Sequence, residues 1–297
     1  MFCKNCGKKN DNGVKFCSSC GSKFSKIETE IPVQPVLDFS ECQNKSSWYT
    51  RKIIGVIVVL SLIGFGIYNS QDDAVVEKNN DAISNFDSGN NEQAINDFQE
   101  ASQDAVLTEN KISTLKNLAY AYSSDSKDEL AISSFKEALA LTTPDSFDYY
   151  LISGEISLLE NKPSLALAAY NNAYEKDPND FQINNALTLF YLDLGDIAPQ
   201  YFDYKKALKY ALRTTQLSDL QIAKQNLGLA YYFNENYPQA ISTFSNLTID
   251  KDSYTAYWLG LSYAGNNDSV NAKFYLRKAI TNGVEVTQEV YDYINSN

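Results

Sequence analysis

The sequence predicts an all-α chain: a helical-repeat solenoid, preceded by a small four-cysteine module and one membrane-spanning helix. Three observations predict it. Two C-x-x-C-G knuckles lie within residues 3–21, residues 53–68 form an apolar run free of charge, and beyond about residue 75 small and aromatic residues recur in a repeating pattern.

The first element is the knuckle pair, Cys3-Lys4-Asn5-Cys6-Gly7 and Cys17-Ser18-Ser19-Cys20-Gly21. Two residues between paired cysteines let both sulfurs reach one ion from a single tight turn, and a glycine behind each pair relieves that turn. The chain contains no histidine, so the ligand set is Cys3, Cys6, Cys17 and Cys20. Zn2+ (one ion, structural) suits four thiolates; iron in the same tetrahedron and a pair of disulfides are the alternatives. Four ligands close the coordination sphere and leave no position for a substrate. Four thiolates on a divalent ion carry a charge of about −2, which Lys4, Lys8, Lys9, Lys15 and Lys23 offset. So short a segment has little core, so the metal supplies most of its folding energy. Residues 1–24 resemble the zinc ribbon found at the N-terminus of many bacterial membrane proteins. Residues 25–47, with Pro32 and Pro35 and no helical period, read as a flexible linker; Cys42 within it reads as an inert free thiol.

The second element is IIGVIVVLSLIGFGIY, residues 53–68. At ~1.5 Å per residue the run is short for a hydrocarbon core of about 30 Å. Trp48, Tyr49 and Tyr68 extend it with interfacial aromatics, and Arg51 and Lys52 can snorkel, so the span is assigned to residues 48–70. A cleaved signal peptide fits poorly, because a metal motif precedes the run and no small-x-small site follows it. Before the run stand nine Lys/Arg and five Asp/Glu; after it stand sixteen and thirty-two. The positive-inside rule therefore puts the N-terminus in the cytoplasm and the C-terminal domain outside a cell membrane crossed once. The cysteines agree, since all five precede the run. Gly55, Ser61, Gly64 and Gly66 would let spans approach one another, which leaves a homo-oligomer open although G-x-x-x-G is absent.

The third element begins near residue 75. The clearest unit, Phe147 to about Asp180, carries Tyr150, Gly154, Ala166, Tyr170, Ala173 and Pro178. Gly89, Ala94, Phe98 and Ala101 belong to a first unit, and Leu118, Ala119, Tyr122, Ala131, Phe135, Ala138 and Pro144 to a second. A fifth holds Leu227, Gly228, Tyr231, Ala240 and Phe244; a sixth holds Leu259, Gly260, Tyr263, Ala272, Leu276 and Ala279. The fourth is irregular, with extra residues including Pro199 before Ala207 and Ala211. The pattern resembles the tetratricopeptide repeat (TPR), a helix–turn–helix unit in which small residues mark close helix crossings and aromatics fill the gaps. The resemblance implies a TPR-like helical solenoid of about six units over residues 75–284, closed by a capping helix at 285–297.

Function follows by exclusion and by template. There is no histidine for acid–base work, and no G-x-S-x-G, Walker loop or dinucleotide fingerprint. The acidic exterior disfavours nucleic acid. The resemblance implies a protein or peptide partner held in the groove, with Asn185, Gln225, Tyr232, Tyr254 and Tyr257 as contact candidates by template position. The expectation is a non-enzymatic scaffold of the cell envelope. A regulator that couples external binding to a cytosolic partner through the ribbon is the alternative. An enzyme would require a pocket of clustered, perturbed carboxylates.

Overall fold

In a computed structural model the structure describes residues 73–193, 203–247 and 253–296. The four-cysteine module with Cys3, Cys6, Cys17 and Cys20, the linker, the expected span at 48–70 and the insertion around Pro199 lie outside those residues. Among the described residues no helix is long and apolar enough to cross a membrane.

The described residues hold thirteen α-helices and no strand. They are α1 (Asp73–Asp87), α2 (Asn91–Asp104), α3 (Thr108–Ser124), α4 (Asp128–Leu141), α5 (Phe147–Leu159), α6 (Pro163–Lys176) and α7 (Phe181–Asp193). Then come α8 (Tyr204–Leu217), α9 (Gln221–Phe233), α10 (Tyr237–Ser245), α11 (Ser253–Gly265), α12 (Ser269–Thr281) and α13 (Gln288–Asn295). The helices pack closely within the successive pairs α1–α2 through α11–α12, with α13 against α12. The architecture is an all-α, TPR-like solenoid.

The turns inside the units share one device. In the five units whose inner turn is described, the residue two before the second helix has a left-handed backbone: Gly89, Ser126, Asn161, Glu235 and Asn267, with φ between 56° and 82°. Each of these turns closes with a bond from the following residue back across the helix end, as in Lys127 N to Tyr122 O at 2.9 Å and Asn236 N to Tyr231 O at 2.9 Å. That is the Schellman closure, which satisfies carbonyls the helix itself leaves open. The second helices then start cleanly, with Pro163 and Pro238 in the first turn and Asp203 and Asp268 as side-chain caps.

The helices of a pair cross closely because one side of the crossing carries almost no side chain. A Cβ added at Gly154 would stand 2.4 Å from the Tyr170 ring, and one at Gly228 would stand 2.5 Å from Phe244. Ala82 and Ala119 occupy the same place opposite Phe98 and Phe135, and all four are buried. Each buried Phe removes enough apolar surface to stabilise by about 2–3 kcal/mol. At the far end Val290 and Ile294 of α13 join the same core as Leu276 and Ala279 and cover that side of the last unit, while Val270 and Phe274 of α12 stay exposed.

Candidate partner-binding face and a buried carboxylate

The first helices of the units form a connected layer. Beyond sequence neighbours, packing between units runs from first helix to first helix, in α1–α3, α7–α9 and α9–α11. Polar bonds follow the same path. Asn117 Nδ2 donates to Asn79 Oδ1 at 2.9 Å, Asn226 Nδ2 to Asn185 Oδ1 at 2.8 Å, and Gln225 Nε2 to Thr255 Oγ1 at 2.9 Å. Lys116 Nζ reaches Asp148 Oδ1 at 2.7 Å and Gln182 Oε1 at 3.2 Å, joining α3, α5 and α7. In a curved solenoid the helices that approach one another line the concave side, where extended partners bind.

All five contact candidates stand on these first helices, but most of them face packing. Asn185 on α7 is 2% exposed and holds Asn226. Tyr232 and Tyr257 are 7% and 6% exposed, and both pack edge-on against Trp258, at 5.2 and 5.5 Å between ring centres. Rather than lining an open face, Asn185 is covered at the seam between the fourth and fifth units, Tyr232 at that between the fifth and sixth, and Tyr257 is buried beside its neighbour Trp258. Gln225 and Tyr254 are half-buried and retain surface.

Sequence reasoning passed over Glu155. It is 6% exposed and lines one cleft with Tyr170 and Tyr120, which are each 1% exposed. Burial pushes its carboxyl up to about 7, against the opposing pull of the Tyr170 hydroxyl, the Lys116 charge and the Tyr120 hydroxyl. Burial, then the Glu155 charge, holds both phenols well above their ordinary range. Asp180, which caps α7 by accepting from Ile183 N at 3.1 Å, is also raised by burial. Glu155, Tyr120 and Tyr170 line a cleft together with Gln182, Asn185 and Leu189 among others, with about 20 Å3 of space open to water. That is room for roughly one water molecule. The signal for Glu155 lay in aligning the units with one another, where it falls on an apolar position.

A zinc-ribbon domain profile matches residues 2–24, and a tetratricopeptide-repeat profile matches residues 117–181. No curated protein matches the chain. Among solved structures, the APC/C hetero-tetramer Cut9–Hcn1 is similar over 85% of this chain and 47% of its own, at 16% identity and a TM-score of 0.54. This chain thus spans less than half of that relative, and the likeness is one of fold. Two further likenesses are to Pseudomonas aeruginosa pilF, at 19% identity over 61% of this chain and 81% of that one, TM-score 0.49, and to YrrB, described as a TPR protein with an unusual peptide-binding site, at 17% identity over 70% and 94%, TM-score 0.32. Among the described residues no cluster of His, Cys, Asp or Glu could hold a metal ion. The chain carries an N-terminal zinc-ribbon domain and a C-terminal array of tetratricopeptide repeats.

Proposed function

We propose that this chain is a non-enzymatic, single-pass membrane scaffold whose repeat array binds a protein or peptide of the cell envelope outside the membrane. The observation that carries the reading is the connected layer of first helices, tied by Asn79–Asn117, Asn185–Asn226 and Gln225–Thr255. A layer held in one arrangement pays little ordering entropy when a partner lies along it. Gln225 and Tyr254, half-buried on that layer, are the proposed contact residues. The Glu155 cleft, with about 20 Å3 of space, is far below the size of a substrate pocket, which favours binding over catalysis.

At the other end, the donor set Cys3, Cys6, Cys17 and Cys20 fits one tetrahedral zinc ion with no open position, so the ribbon is a structural module on the cytoplasmic side. The apolar run at 53–68 and the excess of Lys/Arg before it support the anchor and its orientation.

Two experiments test the reading. Membrane-impermeant protease added to intact cells carrying tags at both ends should remove the C-terminal tag and spare the N-terminal one; a protected C-terminal tag overturns the topology. Photo-crosslinking from positions 225 and 254 in those cells should give a discrete adduct that position 130, exposed on α4, does not. Equal labelling from all three positions sinks the groove reading.

A further inference from the structure

Three polar side chains depart from the repeat pattern at one place. One residue after the crossing position of each first helix, which is Gly or Ala except for Thr188 in the fourth unit, the units carry Ile83, Tyr120, Glu155, Leu189, Leu229 and Leu261, all buried. Glu155 is thus a carboxyl group where four other units bury an aliphatic side chain. Opposite it, Tyr170 stands where other second helices have Phe98, Phe135, Phe244 or Leu276. The phenol oxygens of Tyr120 and Tyr170 are extra to the packing pattern, and both side chains line one cleft with the carboxyl that is also extra to it.

The site joins elements of three units. Tyr120 comes from α3, Glu155 from α5, Tyr170 from α6, and Gln182 and Asn185 from α7. The charged groups around it are few. Lys116 on α3 lies near Glu155 but is tied to Asp148 of α5 and to Gln182. Asp180, ahead of α7, is turned to its own helix N-terminus. No cation is bonded to Glu155 itself among the described residues, so its ionised form has only the Lys116 charge at a distance, two phenols and a narrow cleft for compensation.

We propose that Glu155, Tyr120 and Tyr170 form a proton-responsive joint between the second, third and fourth units, closed when Glu155 is protonated and loosened when it ionises. A neutral carboxyl keeps both phenol contacts without a charge in the core. An ionised one must be desolvated or draw water in through the cleft, at the expense of the packing of Leu158 and Leu189, which line it. Asn185 lines the same cleft and holds Asn226, so the joint bears directly on the layer of first helices.

The sign follows from linkage. A carboxyl raised from 4.5 to about 7 in the folded chain stabilises below pH 4.5, and that stabilisation is lost as pH rises through about 7. The test is urea unfolding of the full chain from pH 5 to 8.5, beside Glu155→Gln and Glu155→Leu, the second being the residue of the later units. Relative to either variant, the wild-type folding constant should fall about tenfold per pH unit between pH 5 and 7 and then level off. Hydrogen exchange in α5 and α6, corrected for intrinsic rate, should quicken above pH 7.5 in the wild type alone. Parallel pH profiles for wild type and variants, or exchange that ignores Glu155, overturn the proposal.

Discussion

Replacing Gly228 by alanine sets two effects against each other. In a helix interior the change ordinarily stabilises by about 1 kcal/mol, through backbone entropy. In α9, however, the new Cβ would stand 2.5 Å from Phe244 Cε1, 2.6 Å from Cζ and 2.9 Å from Cδ1. All three atoms belong to one ring that is 1% exposed, so no flexible end can swing aside. The ring or the helix must yield by most of an ångström. Overpacking of this kind costs about 1–3 kcal/mol, and three contacts under 3.0 Å point to the upper half of that range. The net expectation is a loss of about 1–2 kcal/mol, a fall in Tm of about 2–8 °C for a domain of this size. Thermal unfolding by circular dichroism reads it directly. Gly228→Ala with Phe244→Leu should recover part of the loss, because the smaller side chain returns the space. Ala82 and Ala119 fill the same register in the first two pairs, opposite the buried Phe98 and Phe135. A Tm that is unchanged or higher in Gly228→Ala would therefore mean that the pair opens freely, and the close-crossing argument would be refuted.

Other outcomes follow from the same reasoning. Asn226→Ala should cost about 1–3 kcal/mol in a urea titration, since it leaves the buried Asn185 Oδ1 without its donor. Glu235→Gly should raise stability by up to about 1 kcal/mol, because Glu235 sits at φ 58° in a turn where glycine carries no Cβ penalty; an unchanged or lower midpoint would show the strain to be absent. Metal analysis should find one zinc per chain, and Cys17→Ser should lose it while the melting of the repeat array stays put; retained zinc would break the four-thiolate assignment.

Much of the fold was legible in the sequence. Gly154 and Tyr170, or Gly228 and Phe244, lie sixteen residues apart and meet inside one helix pair, so their contact depends on little beyond that pair. The left-handed turn residues were harder to read: Gly89 is the conspicuous one, whereas Ser126, Asn161 and Glu235 adopt the same backbone because the closing bonds of the turn hold them there. The four cysteines were legible for a different reason, since all the ligands of one ion fall within eighteen residues.

The contact candidates were read by template, and here local pattern was a weak guide. A template position says which helix a side chain stands on. It does not say whether Tyr232 will close over Trp258, because that depends on how far the fifth and sixth units are rotated on one another. Glu155 makes the same point from the other side. By sequence it is one carboxylate among thirty-seven Asp and Glu; its isolation is created by Tyr120, thirty-five residues before it, and Tyr170, fifteen after.

The sequence by itself determined the helical pairing, the small-against-large crossings and the metal knuckles, because each rests on residues close along the chain whose mutual geometry is set by helix or turn periodicity. The tertiary structure alone decided which polar groups of the first helices are covered and where a carboxyl loses its water, because burial is a sum over stacked units that no single stretch of chain contains.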